Sequence, residues 1–105
     1  MIPIPENIFD EVDKNVREYN NYASKEGDVP IQQIWYNNGD FEEEGHYLFF
    51  ITETRYSESL EDNLSELELK ISRENPKFSL GFLVWPCSVS KSSNYGFVEK
   101  VFDYT

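Results

Sequence analysis

The chain has 105 residues, of which 20 are acidic and nine basic, for a formal net charge of -11. That length points to one domain, residues 1–105, and that charge repels phosphates and anionic lipid, which excludes direct nucleic-acid binding and a membrane surface as partner. An aromatic content of 16% argues against a disordered chain, and the lone Cys87 excludes an internal disulfide.

The opening "MIPIPENIFD" has neither the basic start nor the apolar run of a signal peptide, and no segment is apolar for long enough to span a bilayer. The expectation is a cytoplasmic protein with Cys87 reduced. After Pro3 and Pro5, residues Ile8, Phe9, Val12, Val16 and Tyr19 recur at helical spacing and predict a first helix over 5–22. Asn20, Asn21 and Gly27 weaken that pattern, and Asp28-Val29-Pro30 ends it. "IQQIWYNN", 31–38, is rich in strand formers, and "HYLFFITET", 46–54, is apolar on both faces like an interior strand. Asn38-Gly39 suits the hairpin turn between them.

Ser59 followed by Asp62 resembles a capping box. Leu60, Leu64, Leu67 and Ile71 then mark an amphipathic helix over 59–74, stopped at Asn75-Pro76. "FSLGFLVW", 78–85, is another strand with two apolar faces, ended or bulged by Pro86. "SVSKSSN", 88–94, reads as a polar loop and "YGFVEKVFDY", 95–104, as the last strand. The order is αββαββ, with Trp35 and Trp85 in the first strand of each half, a spacing that hints at duplication. The predicted fold is α+β: a four-stranded, mostly antiparallel sheet with two helices packed on one face. The bare face would then carry large apolar groups, to be covered by a homodimer, a folded-over loop or a partner. Helices on opposite faces are the alternative.

Charge is unevenly spread along this frame. Between Asp40 and Glu68 stand ten acids and one base, Arg55, which accounts for -9 of the total. On the second helix, Glu58, Asp62 and Glu66 share a ridge, with Glu61 close by. Part of this charge has a plain structural use, since acids complement a helix N-terminus and Glu66 can pair with Lys70. The loop Asp40, Phe41, Glu42, Glu43, Glu44 gains nothing from a helix dipole and stores repulsion. It reads either as a solubilising edge guard or as an acidic prong with Phe41 as its anchor.

Catalytic chemistry finds little footing. "NNGDFEEE" lacks the alternating spacing of a calcium loop. His46 and Cys87 are too few for a transition-metal site and form no expected nucleophile pair, so no metal, cofactor or catalytic residue is predicted. There is no glycine-rich phosphate loop. Trp35, Tyr36, Tyr47 and Trp85 default to core packing.

With its acid cluster "GDFEEEGHY" and its lack of catalytic motifs, the chain resembles bacterial immunity proteins, the partners of colicins and of contact-dependent growth inhibition toxins. The resemblance implies a protein that is not an enzyme. It would block a basic toxin, typically a nuclease, by plugging its active cleft. On that reading the contact residues are Asp40, Phe41, Glu42, Glu43, Glu44, Glu58, Glu61, Asp62 and Glu66, with Trp35 and Tyr36 as aromatic anchors. Phage anti-CRISPR and anti-restriction proteins that imitate DNA are the rival resemblance, and a small ligand-binding fold is a third reading. Bunching of the acids favours the cleft plug.

Overall fold

Residues Ile8, Val12, Val16, Tyr19 and Ala23 line one stripe of the first helix and all are buried. That stripe is why the segment is helical: its apolar groups meet a core only at 3.6-residue spacing. The structure, a computed structural model, describes residues 4–37, 46–52, 57–78, 80–86 and 99–105. Helix α1 spans Glu6–Glu26, and strands β1 (Ile31–Asn37) and β2 (His46–Thr52) follow. Then come helix α2 (Glu58–Glu74) and strands β3 (Leu80–Pro86) and β4 (Glu99–Asp103).

The predicted first helix is one turn too short at its C-terminus. Asn20 does not break it, because its side chain is used elsewhere. Its amide donates to the Ile31 carbonyl at 2.9 Å and its oxygen accepts from the Ile31 N–H at 2.8 Å, clamping the helix to the start of β1. The helix stops at Gly27, whose φ of 68° is the left-handed cap that glycine adopts without strain. Helix α2 is capped by Ser57 and not by Ser59: the Ser57 Oγ accepts from the Leu60 N–H at 3.2 Å and donates to Asp28 at 2.6 Å.

The fold is α+β, with sheet order β3-β2-β1-β4. β1 pairs antiparallel with β2 and with β4, while β2 and β3 run parallel. Two of the three pairings are thus antiparallel. α2 is the crossover that a parallel β2–β3 pair requires. β3 is an edge strand despite its two apolar faces, and β3 and β4 lie at opposite edges of the sheet. The halves therefore do not repeat each other, and the matched tryptophans carry no duplication.

Both helices lie on one face. Ile34 and Tyr36 of β1, Leu48 and Phe50 of β2, and Phe82 and Val84 of β3 form one apolar cluster with α1 and α2. Phe102 of β4 joins it, meeting Phe9 edge-to-face at 6.2 Å. Each fully buried Leu, Ile or Phe contributes roughly 1.5–3 kcal/mol of transfer free energy. Registration puts Trp35, Phe49, Leu83, Ile51 and Trp85 on the other face, where Phe49 and Trp85 stack at 5.8 Å. Gly81 leaves room there for Tyr47, since a Cβ on it would sit 2.7 Å from the Tyr47 ring.

Candidate functional site

Helix α2 buries Leu60, Leu64, Leu67 and Ile71 against the sheet, and this fixes where its acids point. The residues between them must face outward and sideways. Glu58, Asp62 and Glu66 are exposed and share the ridge expected from their spacing of four; Glu61 is partly buried beside them. Glu58 and Glu61 lie in the first turn, where carboxylates complement the helix dipole. Asp62 and Glu66 lie beyond it and gain little there.

The side of this ridge nearest α1 forms a groove of about 370 Å³. Its walls carry Glu18, Asp62 and Glu66, and Tyr22 stands at its rim, 46% exposed. The Tyr19 hydroxyl donates to the Val29 carbonyl at 2.7 Å, which anchors the neighbouring turn of α1. Asn63 donates to Asn15 at 2.8 Å, tying the two helices together across the groove.

Among the described residues no base forms an ion pair with these acids, although Lys14 and Lys70 line the adjoining hollow with Glu18 and Glu66. Lys70 pairs with Glu11 at 2.8 Å and not with Glu66, as helical spacing had suggested. Its hydrogen bond to Glu11, with the attraction of the same carboxylate, raises the Lys70 pKa. Arg17 pairs with Asp13 and Lys100 with Asp103. Among the described residues no ion pair engages Glu18, Glu58, Glu61, Asp62 or Glu66. Glu68 behaves differently: its carboxylate accepts from the Phe82 N–H at 2.9 Å and so caps the β3 edge.

Trp35 and Tyr36, two of the aromatic anchors expected from sequence, do not join this surface. Tyr36 is 3% exposed and points into the core, sharing a 2.8 Å hydrogen bond with Nδ1 of His46. Burial raises its pKa. His46 opens β2 and stacks on Phe78 at 5.0 Å, the packed role of a strand-end residue. Trp35 lies on the opposite sheet face, its indole donating to Gln33 at 2.9 Å. The exposed aromatic beside the acids is Tyr22, which the sequence pattern leaves off the apolar stripe of α1. A tyrosine outside a helix's own apolar stripe was the available signal. Asp40, Phe41, Glu42, Glu43 and Glu44 lie outside the described residues, as does Cys87.

Among the described residues no cluster of His, Cys, Asp and Glu could hold a metal ion, and no helix is long and apolar enough to cross a membrane. The groove is open and acidic, with Tyr22 exposed at its rim. That arrangement can accept lysine or arginine side chains by charge-assisted hydrogen bonds. No family model, curated protein or solved structure matches the chain.

Proposed function

We propose that this chain is an inhibitor of the immunity-protein kind, acting in the cytoplasm by binding a basic protein toxin, a nuclease domain, and occluding its active cleft. One observation carries the reading: Glu18, Asp62 and Glu66, all without ion pairs among the described residues, gather round exposed Tyr22 on a two-helix surface. Unpaired acids on a chain of net charge -11 raise the electrostatic cost of folding, and a basic partner turns that cost into fast, oriented encounter. Tyr22 supplies the large, stiff contact that desolvates at the centre of such an interface. The acids Asp40, Glu42, Glu43 and Glu44 add to the chain's net negative charge.

The test is stopped-flow association with the basic product of the neighbouring gene. Asp62→Lys with Glu66→Lys should slow association by roughly tenfold or more at low salt and flatten its salt dependence, with a smaller change in dissociation. The same reversal at Glu42, Glu43 and Glu44 asks whether the loop shares the contact. Unaltered rates and salt dependence for both variants overturn the proposal. Displacement of the chain by duplex DNA would favour the DNA-imitating reading instead.

A further inference from the structure

Helix α2 has two flanks, and they border different hollows. Asp62, Asn63 and Glu66 border the groove against α1. Glu61, Leu64, Ser65 and Glu68, at i, i+3, i+4 and i+7, border a second hollow of about 270 Å³, completed by Phe82, Leu83 and Val84 of β3. Beside it the sheet ends: β3 is an edge, and among the described residues no strand pairs with its outer side. The Phe82 N–H donates to Glu68 on α2 and so faces away from β2. Strand backbone repeats every second residue, so the N–H and C=O groups of Leu80 and Val84 face the same way.

We propose that this edge receives an extended segment of a basic partner protein by strand addition, antiparallel to β3 and carrying lysine or arginine at every second residue. Strand addition takes its affinity from backbone hydrogen bonds and its specificity from alternate side chains. A residue laid opposite Phe82 exchanges both backbone bonds with it, and its side chain turns to the same side of the sheet as Phe82. That side is the helical one, where Glu61 and Glu68 border the hollow. A basic side chain there pairs with a carboxylate, while its stem lies along Leu64 and Val84. The residues between turn to the other sheet face beside Leu83, which is 44% exposed and offers an apolar contact.

Glu68 is the latch on this edge. In the free chain its carboxylate holds the Phe82 N–H at 2.9 Å, which guards the strand against indiscriminate pairing. An incoming carbonyl takes that N–H, and the freed carboxylate turns to the incoming base. A neutral or acidic strand breaks the same bond without supplying a replacement, so the latch selects by charge. A second copy of this chain fails that selection. Pairing two β3 edges sets Glu61 and Glu68 of one copy beside the same acids of the other, on chains of net charge -11. The site lies on the opposite flank of α2 from the groove with α1 and does not depend on it.

The probe is a capped, strand-length peptide alternating lysine with valine, titrated into the isotope-labelled chain at low salt. The amide signals of Leu80, Phe82 and Val84 should shift, and their exchange with solvent deuterium should slow several-fold. Glu61→Gln with Glu68→Gln, which keeps an acceptor for the Phe82 N–H, should weaken binding by about tenfold, and a peptide alternating glutamate with valine should not bind. Methylating the lysine amide nitrogens removes the donors that face β3 but leaves the peptide's charge, so binding should be lost. Equal binding of the methylated peptide is attraction by charge alone and overturns the proposal. Unchanged binding by the glutamine variant removes the selection by charge and overturns it too, as do signal shifts that avoid β3. Leu80 and Val84 amides already slow to exchange in the free monomer show the edge occupied and overturn it. Protection that grows with protein concentration, with a dimer in sedimentation, gives the edge to a second copy and overturns it as well.

Discussion

Tyr104 shows how much one side chain near a terminus can hold in place. Its hydroxyl donates to Asp13 at 2.7 Å, its ring stacks beside Phe102, and the Arg17 guanidinium lies 5.6 Å from its centre. Burial, and then the Asp13 carboxylate, push its pKa far above the ordinary tyrosine value. The folded chain thus binds the phenolic proton more tightly than the unfolded chain does. Its stabilising contribution is whole below about pH 10 and drains away as pH rises beyond that value. Tyr104→Phe should cost about 1 kcal/mol at neutral pH and make the alkaline loss of stability shallower, as read from urea unfolding at a series of pH values. An alkaline slope equal to that of the parent contradicts this. On the helix-free face, Gly81→Ala should destabilise by about 1–3 kcal/mol, since its new methyl meets the Tyr47 ring at 2.7 Å. The loss should shrink in a Tyr47→Ser background, where the clash is gone, and a double-mutant cycle measures the difference. Neither contact is visible in sequence: Asp13 and Tyr104 stand 91 residues apart, and Gly81 reads locally as a weak point in a strand.

Elements were the more legible level, and their ends the less. The stripes Ile8-Val12-Val16-Tyr19 and Leu60-Leu64-Leu67-Ile71 announce both helices, because helical periodicity is a local property of the chain. Which serine caps α2 is not local. Ser59 has an acid three residues on, as a capping box does, but Ser57 has Asp28 waiting 29 residues upstream. Starting the helix there satisfies the Leu60 N–H while burying Leu60. Ser57→Ala should therefore lower stability by about 1–2 kcal/mol, and Ser59→Ala by a few tenths at most, in matched thermal melts. Equal losses would place the cap elsewhere. The same limit explains β3. A strand apolar on both faces reads as interior, yet β3 is an edge, sheltered by α2 on one side and capped by the Glu68 carboxylate. Sheet order and the parallel β2–β3 pairing follow from how α2 crosses back, and no residue within either strand encodes that.

At the scale of the whole molecule, charge and packing pull against each other. The bunching of acids was plain in the sequence, and so was the ridge Glu58-Asp62-Glu66. The neighbour that completes the surface, Glu18 with Tyr22 on α1, becomes visible only when the helices are laid side by side. Lys70 shows why: helical spacing offers it Glu66, but packing offers it Glu11, and the tertiary pair leaves Glu66 without an ion pair among the described residues. Asp62 and Glu66 lie past the first turn of α2, so they draw little from its dipole, and Glu18 lies deep within α1. Three carboxylates around one groove, on a chain of net charge -11, repel each other in the folded state more than in the expanded one. Neutralising them as Glu18→Gln, Asp62→Asn and Glu66→Gln should leave stability unchanged or raise it by up to about 1 kcal/mol. The gain should be largest at low ionic strength and fade as salt shortens the Debye length. Melting temperature against sodium chloride, for parent and triple variant, measures it directly. A surface kept for folding would respond the other way, losing stability when its charges are removed. A surface kept for a basic partner should become more stable and bind more slowly in the same variant, and that opposition of signs separates the two uses.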